Sequence, residues 1–160
     1  MARDDLPLLY EWLQRPHVQR WWTERETYEE LVEHYGPSID GDEPTDHYFG
    51  LLDDRPIGFL ETYLVSDHPE YAALVGVGDG VAGLDLFIAE ESLTGQGLGT
   101  ELLRRFVEEI VFGRPETTSC IAGPEAGNAA SIRAFEKAGF RVVGEFVEEG
   151  EPHTLVRRDR

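Results

Sequence analysis

One cysteine, one lysine and no long apolar run set the first limits on this sequence. The lone Cys120 excludes a disulfide framework and a cysteine-based zinc site, and no metal is expected. No apolar stretch reaches the ~18 residues a membrane-spanning helix needs, so no membrane partner is expected. The N-terminus, Met-Ala-Arg-Asp-Asp, lacks the basic-then-apolar pattern of a secretory signal, which makes the cytoplasm the expected compartment. Positive charge is scarce: 14 Lys and Arg stand against 32 Asp and Glu, a formal net charge of −18. Such a surface repels nucleic-acid phosphates and anionic lipid, and it favours small cationic partners. The bias of thirteen arginines to the single Lys137 bears on no mechanism.

What is present suits an ordinary globule. The 160 residues fit one domain over residues 1–160, and a hydrophobic content of 41% is enough for a real core. Leu6, Leu8, Leu9, Trp12 and Leu13 have helical spacing, with Asp4 or Asp5 as cap and Pro16 as stop. Thr23 to Tyr35 reads as a second helix, stopped by Gly36-Pro37, before a polar, turn-rich stretch from Ser38 to Asp46. Tyr48–Leu52 and Ile57–Val65 read as a hairpin around Asp53–Pro56. Ser66 to Gly80 reads as one long loop, a length that points to function. A strand at Val81–Ala89, a helix at Gly97–Phe112, a strand at Thr117–Ala122 and a helix at Asn128–Ala138 follow. Gly139 closes that last helix, and Arg141–Val147 with His153–Arg157 form a terminal hairpin. This order predicts an α/β (α+β) fold with a mixed sheet.

Two segments carry chemical meaning. A strand leads into Gly95-Gln96-Gly97-Leu98-Gly99, which opens a long helix. Glycines admit a ligand close to the backbone, and the free N–H groups and dipole of a helix start attract phosphate. No Gly-Lys-Ser/Thr follows, so the turn is not a P-loop, and the acidic residue of a dinucleotide fingerprint is missing. The second segment, Asn128 to Phe140, is a capped amphipathic helix with a glycine stop.

Together, the Gly-x-Gly-x-Gly helix entry, the short strand and the Asn128-x₆-Phe135-x₃-Gly139-Phe140 pattern resemble the GNAT superfamily of acyl-CoA-dependent N-acetyltransferases. The resemblance spans about Leu6 to Arg157. It implies a mostly antiparallel mixed sheet flanked by helices, with the family's usual first strand absent because the chain opens at the first helix. It also implies acetyl-CoA as co-substrate. The pyrophosphate would lie on the backbone of Gln96, Gly97, Leu98, Gly99 and Thr100, the Phe87 N–H would polarise the thioester carbonyl, and Asn128 would contact the pantetheine arm. Asp5–Leu13, His17 to Trp22 with its Trp21-Trp22 pair, Glu33-His34-Tyr35 and Arg55–Gly58 further resemble the aminoglycoside 6′-N-acetyltransferases. Gly83-Leu84-Asp85 matches the strand that carries their catalytic carboxylate, which implies Asp85 as catalytic base. Three positions depart from the pattern: Thr94 replaces Gln or Arg, Phe135 replaces a tyrosine, and Gly123 replaces an acidic residue before Pro124.

The chemistry of Asp85 agrees with that role. An alkyl amine is mostly protonated at neutral pH and attacks a thioester only as the free base, so a carboxylate beside it can take the proton. A carboxylate inside a run as apolar as Leu84–Ala89 needs a partner or a task. Trp21 and Trp22 can offer one core ring and one ring to stack on a sugar or a cation, with Tyr35 joining that wall. Asp67, Glu70 and Asp79 can receive substrate ammonium groups. The expected activity is acetyl transfer to a primary amine, an aminoglycoside first. A siderophore-precursor or protein amine, and an acyl-CoA-binding module without turnover, are the competing readings.

Overall fold

The computed structural model describes residues 1–22 and 25–160; the expected helix start at Thr23 lies outside them. The chain runs α1 (Leu6–Leu13), α2 (Pro16–Gln19), α3 (Tyr28–Asp40), β1 (Thr45–Leu52), β2 (Arg55–Leu64), α4 (Pro69–Val75) and β3 (Val81–Ile88). It continues through α5 (Leu98–Phe106), β4 (Ser119–Ala122), α6 (Ala129–Lys137), β5 (Arg141–Glu148) and β6 (Glu151–Asp159). One six-stranded sheet has the order β1-β2-β3-β4-β6-β5. β3 and β4 pair in parallel, whereas β6 pairs antiparallel with both β4 and β5, so the sheet is mixed. Among the described residues no helix is long and apolar enough to cross a membrane.

The chain divides into two compact units. The first comprises Met1–Glu61 and Leu86–Leu93; the second comprises Thr62–Asp85 and Thr94–Arg160.

In the first unit, Leu6, Leu9, Trp12 and Leu13 form the buried stripe of α1 and pack with Val18, Leu31, Tyr35 and Phe59. Leu9, Leu31 and Phe59 are fully buried, each contributing roughly 1.5–3 kcal/mol. α3 starts at a reciprocal cap, in which Thr27 Oγ1 accepts from the Glu30 N–H and the Glu30 carboxylate accepts from the Thr27 N–H. The expected stop at Gly36-Pro37 is not observed; α3 runs on to Asp40 and ends at Gly41, in the left-handed region at φ 85°. Two contacts offset the proline's missing donor. The bare Cα of Gly36 leaves room for the Arg3 guanidinium, which would lie 2.8 Å from an added Cβ, and Arg3 chelates Asp40 on the following turn. His47 ties this unit together: its carbonyl accepts from the Met1 amino group, and its Nε2 lies 2.6 Å from Ser38 Oγ.

The hairpin of β1 and β2 closes through Asp53 and Asp54, both at positive φ (50° and 62°), a two-residue turn that matches the strand twist. The sequence places this turn over four residues; β1 ends at Leu52 as expected, and β2 starts two residues earlier, at Arg55.

The second unit buries Val65, Val81 and Ile121 with Leu103, Phe106, Phe135 and Phe140. The stretch expected as one long loop, 66–80, instead holds a short 3₁₀ turn at Val65–Asp67 and the helix α4, which Pro69 opens and Gly76 closes at φ 66°. The helix expected from Gly97 to Phe112 is α-helical only to Phe106. Val107–Val111 then widens into a π-turn in which the Phe112 N–H donates to the Val107 carbonyl.

Candidate active site

β3 carries the central groups. Its parallel pairing with β4 covers Val81–Gly83 against Ser119–Ile121, and β3 continues five residues past Gly83. Asp85 lies in that stretch and is half-buried. The pairing ends at Gly83 and Ile121, and Asp85 and Gly123 each lie two residues beyond it along the chain. Gly83 is on the same face as Asp85, because side chains alternate along a strand. The Tyr63 ring covers that glycine so closely that an added Cβ would sit 2.4 Å from the ring.

Tyr71, on α4, joins this group. Burial, then the charges of Asp85 and Glu148, push its phenol well above the usual tyrosine range, and a hydrogen bond with Tyr63 opposes them. Tyr71 therefore stays a protonated donor. Burial and the same Asp85 charge raise the Cys120 thiol, which removes it as a nucleophile. An edge-to-face series runs on from Tyr63 to Tyr71 at 6.2 Å and from Tyr71 to Phe146 at 6.1 Å, and His153 stacks on Phe146 at 5.2 Å. Phe146 fills the room above Gly123: an added Cβ there would lie 2.6 Å from the ring and 3.4 Å from the Tyr71 hydroxyl. His153 Nδ1 is 2.7 Å from the Gly123 carbonyl. Sequence reasoning missed Tyr63, Tyr71, Phe146 and His153. They come from β2, α4 and the terminal hairpin, and no spacing in the sequence links them.

The glycine-rich turn has the form its sequence implies. Gly95 and Gly97 take φ of 70° and 85°, and the space an added Cβ would enter is open at both. Gly97 is the N-cap of α5, and its carbonyl accepts the first helical bond, from the Glu101 N–H. The amides of Leu98, Gly99 and Thr100 precede that bond, so the helix supplies them no acceptor. The residues therefore fit a bound pyrophosphate: open space, a helix start and three amides in succession. Gln96 is exposed on the same turn. Asn128 is the N-cap of α6, where its Oδ1 accepts from the Ser131 N–H. Phe135 is core, 3% exposed and edge-on to Phe140.

Within the first unit, Arg15 and His17 hold the end of β3. Arg15 donates to the Ala89 carbonyl and pairs with Glu11 and Glu90, while His17 Nε2 is 3.1 Å from the Ile88 carbonyl. The Phe87 ring packs with Trp12, Trp22 and Phe59. Trp22 thus supplies the core ring, and its buried Nε1 has no acceptor among the described residues. Trp21 is half-exposed, with the Arg20 guanidinium 4.8 Å over its ring.

Two expectations are corrected. Tyr35 does not line an open wall. It is 2% exposed and packs against His47 and Phe59, because its position on α3 faces the core. Asp67, Glu70 and Asp79 do not share one loop, because α4 separates them: Asp67 ends the 3₁₀ turn, Glu70 starts α4 and Asp79 precedes β3, all three exposed. Among the described residues no His, Cys, Asp and Glu cluster could hold a metal ion.

The acetyltransferase (GNAT) domain family matches residues 2–147. The chain belongs to that family. It is 37% identical over 147 residues to an aminoglycoside N(6′)-acetyltransferase type 1 of Klebsiella pneumoniae, covering 90% of this chain and 73% of that protein. It is 24% identical to an N(6)-hydroxylysine O-acetyltransferase of Escherichia coli over 93% of this chain and 47% of that protein. A crystal structure of the aminoglycoside acetyltransferase AAC(6′)-Ib with coenzyme A and kanamycin superposes with a TM-score of 0.85 at 35% identity, covering 100% of this chain and 92% of that one. The mixed sheet and flanking helices are thus those of the GNAT fold, and the chain is an acetyltransferase of that family.

Proposed function

We propose that this acetyltransferase moves the acetyl group of acetyl-CoA to a primary amine of an aminoglycoside, as a single cytoplasmic domain over residues 1–160. One observation carries the reading: a carboxylate, Asp85, stands on the strand that leads into the open Gly95–Gly99 helix entry. The likeness to aminoglycoside N(6′)-acetyltransferases supports the choice of acceptor.

In this mechanism the Leu98, Gly99 and Thr100 amides, with Gln96 and Gly97, hold the pyrophosphate. The Asn128 side-chain amide nitrogen, left over from capping, meets a pantetheine carbonyl. Asp85 takes the proton from the substrate ammonium. The nitrogen lone pair then forms the C–N bond at the thioester carbonyl, while the Phe87 N–H stabilises the developing oxyanion. The C–S bond breaks, the nitrogen's remaining excess proton passes through water to the leaving CoA thiolate, and Asp85 returns its own proton to solvent. Phe135 cannot supply that proton, and a thiolate leaves without such help. Trp21, the half-exposed ring of the pair, covers a face of the sugar, while Trp22 stays in the core. The exposed carboxylates Asp67, Glu70 and Asp79 attract the remaining ammonium groups, in keeping with a net charge of −18 that disfavours nucleic acid and anionic membranes.

The test is CoA release from acetyl-CoA with kanamycin, ribostamycin, hydroxylysine and a lysine peptide, at low and high salt. Turnover of the aminoglycosides is expected, with KM rising with salt, since exposed charges are screened over ~10 Å at 0.1 M. Turnover of hydroxylysine or the peptide alone overturns the acceptor. Acetyl-CoA binding without turnover of any amine overturns the enzyme.

A further inference from the structure

The second unit contains an aromatic group that the proposed chemistry does not use. Tyr63, Tyr71, Phe146 and His153 form one edge-to-face and stacked series, each half-buried and each partly open to solvent. Two glycines shape it. Gly83 admits the Tyr63 ring over β3, two residues before Asp85 and on the same face. Gly123, two residues past the paired Ile121 as Asp85 is two past Gly83, admits the Phe146 ring. Any side chain at either position would occupy space that a ring now fills. The carboxylates of Asp85 and Glu148 are close enough to act on the Tyr71 hydroxyl. Ring carbons and carboxylate charge therefore converge on one end of the β3–β4 pair.

That combination suits a particular ligand chemistry. A carboxylate alone binds any cation and loses strength in salt. An aromatic face attracts an ammonium through its quadrupole and also covers apolar C–H groups. A ring beside a carboxylate selects an ammonium carried on a compact hydrocarbon frame, such as the aminomethyl arm and C–H face of an amino sugar.

We propose that Phe146, seated over Gly123 and beside Tyr71, is a specificity-determining residue of the acceptor site, packing against the aminomethyl group that Asp85 deprotonates. This rests on the acetyltransferase reading above and deepens it.

The experiment compares wild type with Phe146→Leu, which keeps apolar volume and loses the ring, and with Phe146→Tyr, which keeps the ring. Gly123→Ala is an independent variant, because its Cβ, 2.6 Å from the ring, must push Phe146 aside without touching the residue itself. Kanamycin is titrated calorimetrically and in steady-state kinetics, acetyl-CoA affinity is measured in parallel, and the amine's CH₂ protons are followed by NMR. The expected result for Phe146→Leu and Gly123→Ala is an acceptor Kd and KM raised about tenfold, in the range of a desolvated cation–π contact. Acetyl-CoA affinity stays unchanged and Phe146→Tyr stays near wild type. The upfield ring-current shift of the CH₂ protons seen with wild type disappears in Phe146→Leu. A wild type that acetylates kanamycin, joined to a Phe146→Leu variant with native KM and native CH₂ shifts, overturns this proposal and leaves the enzyme intact. A wild type that binds acetyl-CoA but neither binds nor acetylates kanamycin overturns both. Loss of acetyl-CoA affinity together with acceptor affinity assigns Phe146 to packing and also overturns the proposal.

Discussion

Gly97 separates folding from cofactor binding, and its replacement by alanine tests both. At φ 85° it is left-handed, which costs an L-residue ~1–2 kcal/mol. An added Cβ meets no protein atom within 4 Å, so no steric term follows. Alanine also stiffens the unfolded chain, which returns ~0.4–1 kcal/mol. The net loss in the free protein is about 1 kcal/mol. For 160 residues this is a fall in Tm of about 3 °C. Ligand binding responds differently. At acetyl-CoA concentrations of ~100 Kd, wild type gains about 2.7 kcal/mol, or about 8 °C. The new methyl group stands in the open space of the turn and holds the pyrophosphate off the Leu98–Thr100 amides. Loss of one charge-assisted hydrogen bond, ~1.5–3 kcal/mol, weakens binding about ten- to a hundredfold. At the same ligand concentration the gain in Tm then falls to about 4 °C or less. Differential scanning fluorimetry with and without acetyl-CoA reads both numbers. A variant that keeps the full ligand-induced shift refutes the cradle. A free-protein Tm lowered by more than about 10 °C refutes the accounting of Gly97 as an open, left-handed cap.

Asp85→Asn should lower kcat by ~10²-fold or more while acetyl-CoA affinity persists; near-native turnover would remove Asp85 from the chemistry. Asp54→Gly relieves a left-handed aspartate in the β1–β2 turn, with an expected gain of about 1 kcal/mol in urea unfolding, and a loss of stability would contradict that geometry. Asp159 is held below the ordinary carboxylate range by hydrogen bonds from Arg157 and then Arg141. A depressed folded-state pKa stabilises above the unfolded value, about pH 4, and that contribution fades as pH falls through the folded value. Asp159→Asn should therefore flatten the acid limb of the Tm-against-pH curve below about pH 4 and leave its slope near pH 7 alone.

The sequence was most legible where one residue type dictates one conformation. The glycines at 95 and 97 marked a turn open to a ligand before a helix, and Gly139 marked a helix end; the structure gives all three positive φ. Asp85 stood out because a carboxylate in an apolar strand conflicts with its surroundings. Legibility failed where tertiary contacts override local preference. Pro37 reads as a stop, yet the Arg3–Asp40 pair and the bare Gly36 carry α3 past it. Seven helical residues between Pro69 and Gly76 are too few to show a period, so α4 was hidden in a glycine-rich stretch. Tyr35 and Trp22 could not be sorted into wall and core because both look amphipathic in sequence. The grouping of Tyr63, Tyr71, Phe146 and His153 draws on three separate segments, and no spacing encodes it.

The buried Cys120 has a practical consequence. Aromatic disulfide reagents detect the CoA thiol released on each turnover, and an accessible protein thiol would react with them as well. Here the only cysteine is fully enclosed in β4, and its ionisation is suppressed by burial and by Asp85. Native protein should therefore give a flat baseline in that assay. The same thiol reacts only when β4 opens, so its labelling rate across a denaturant series measures how often the centre of the sheet comes apart. No engineered probe is needed for either measurement.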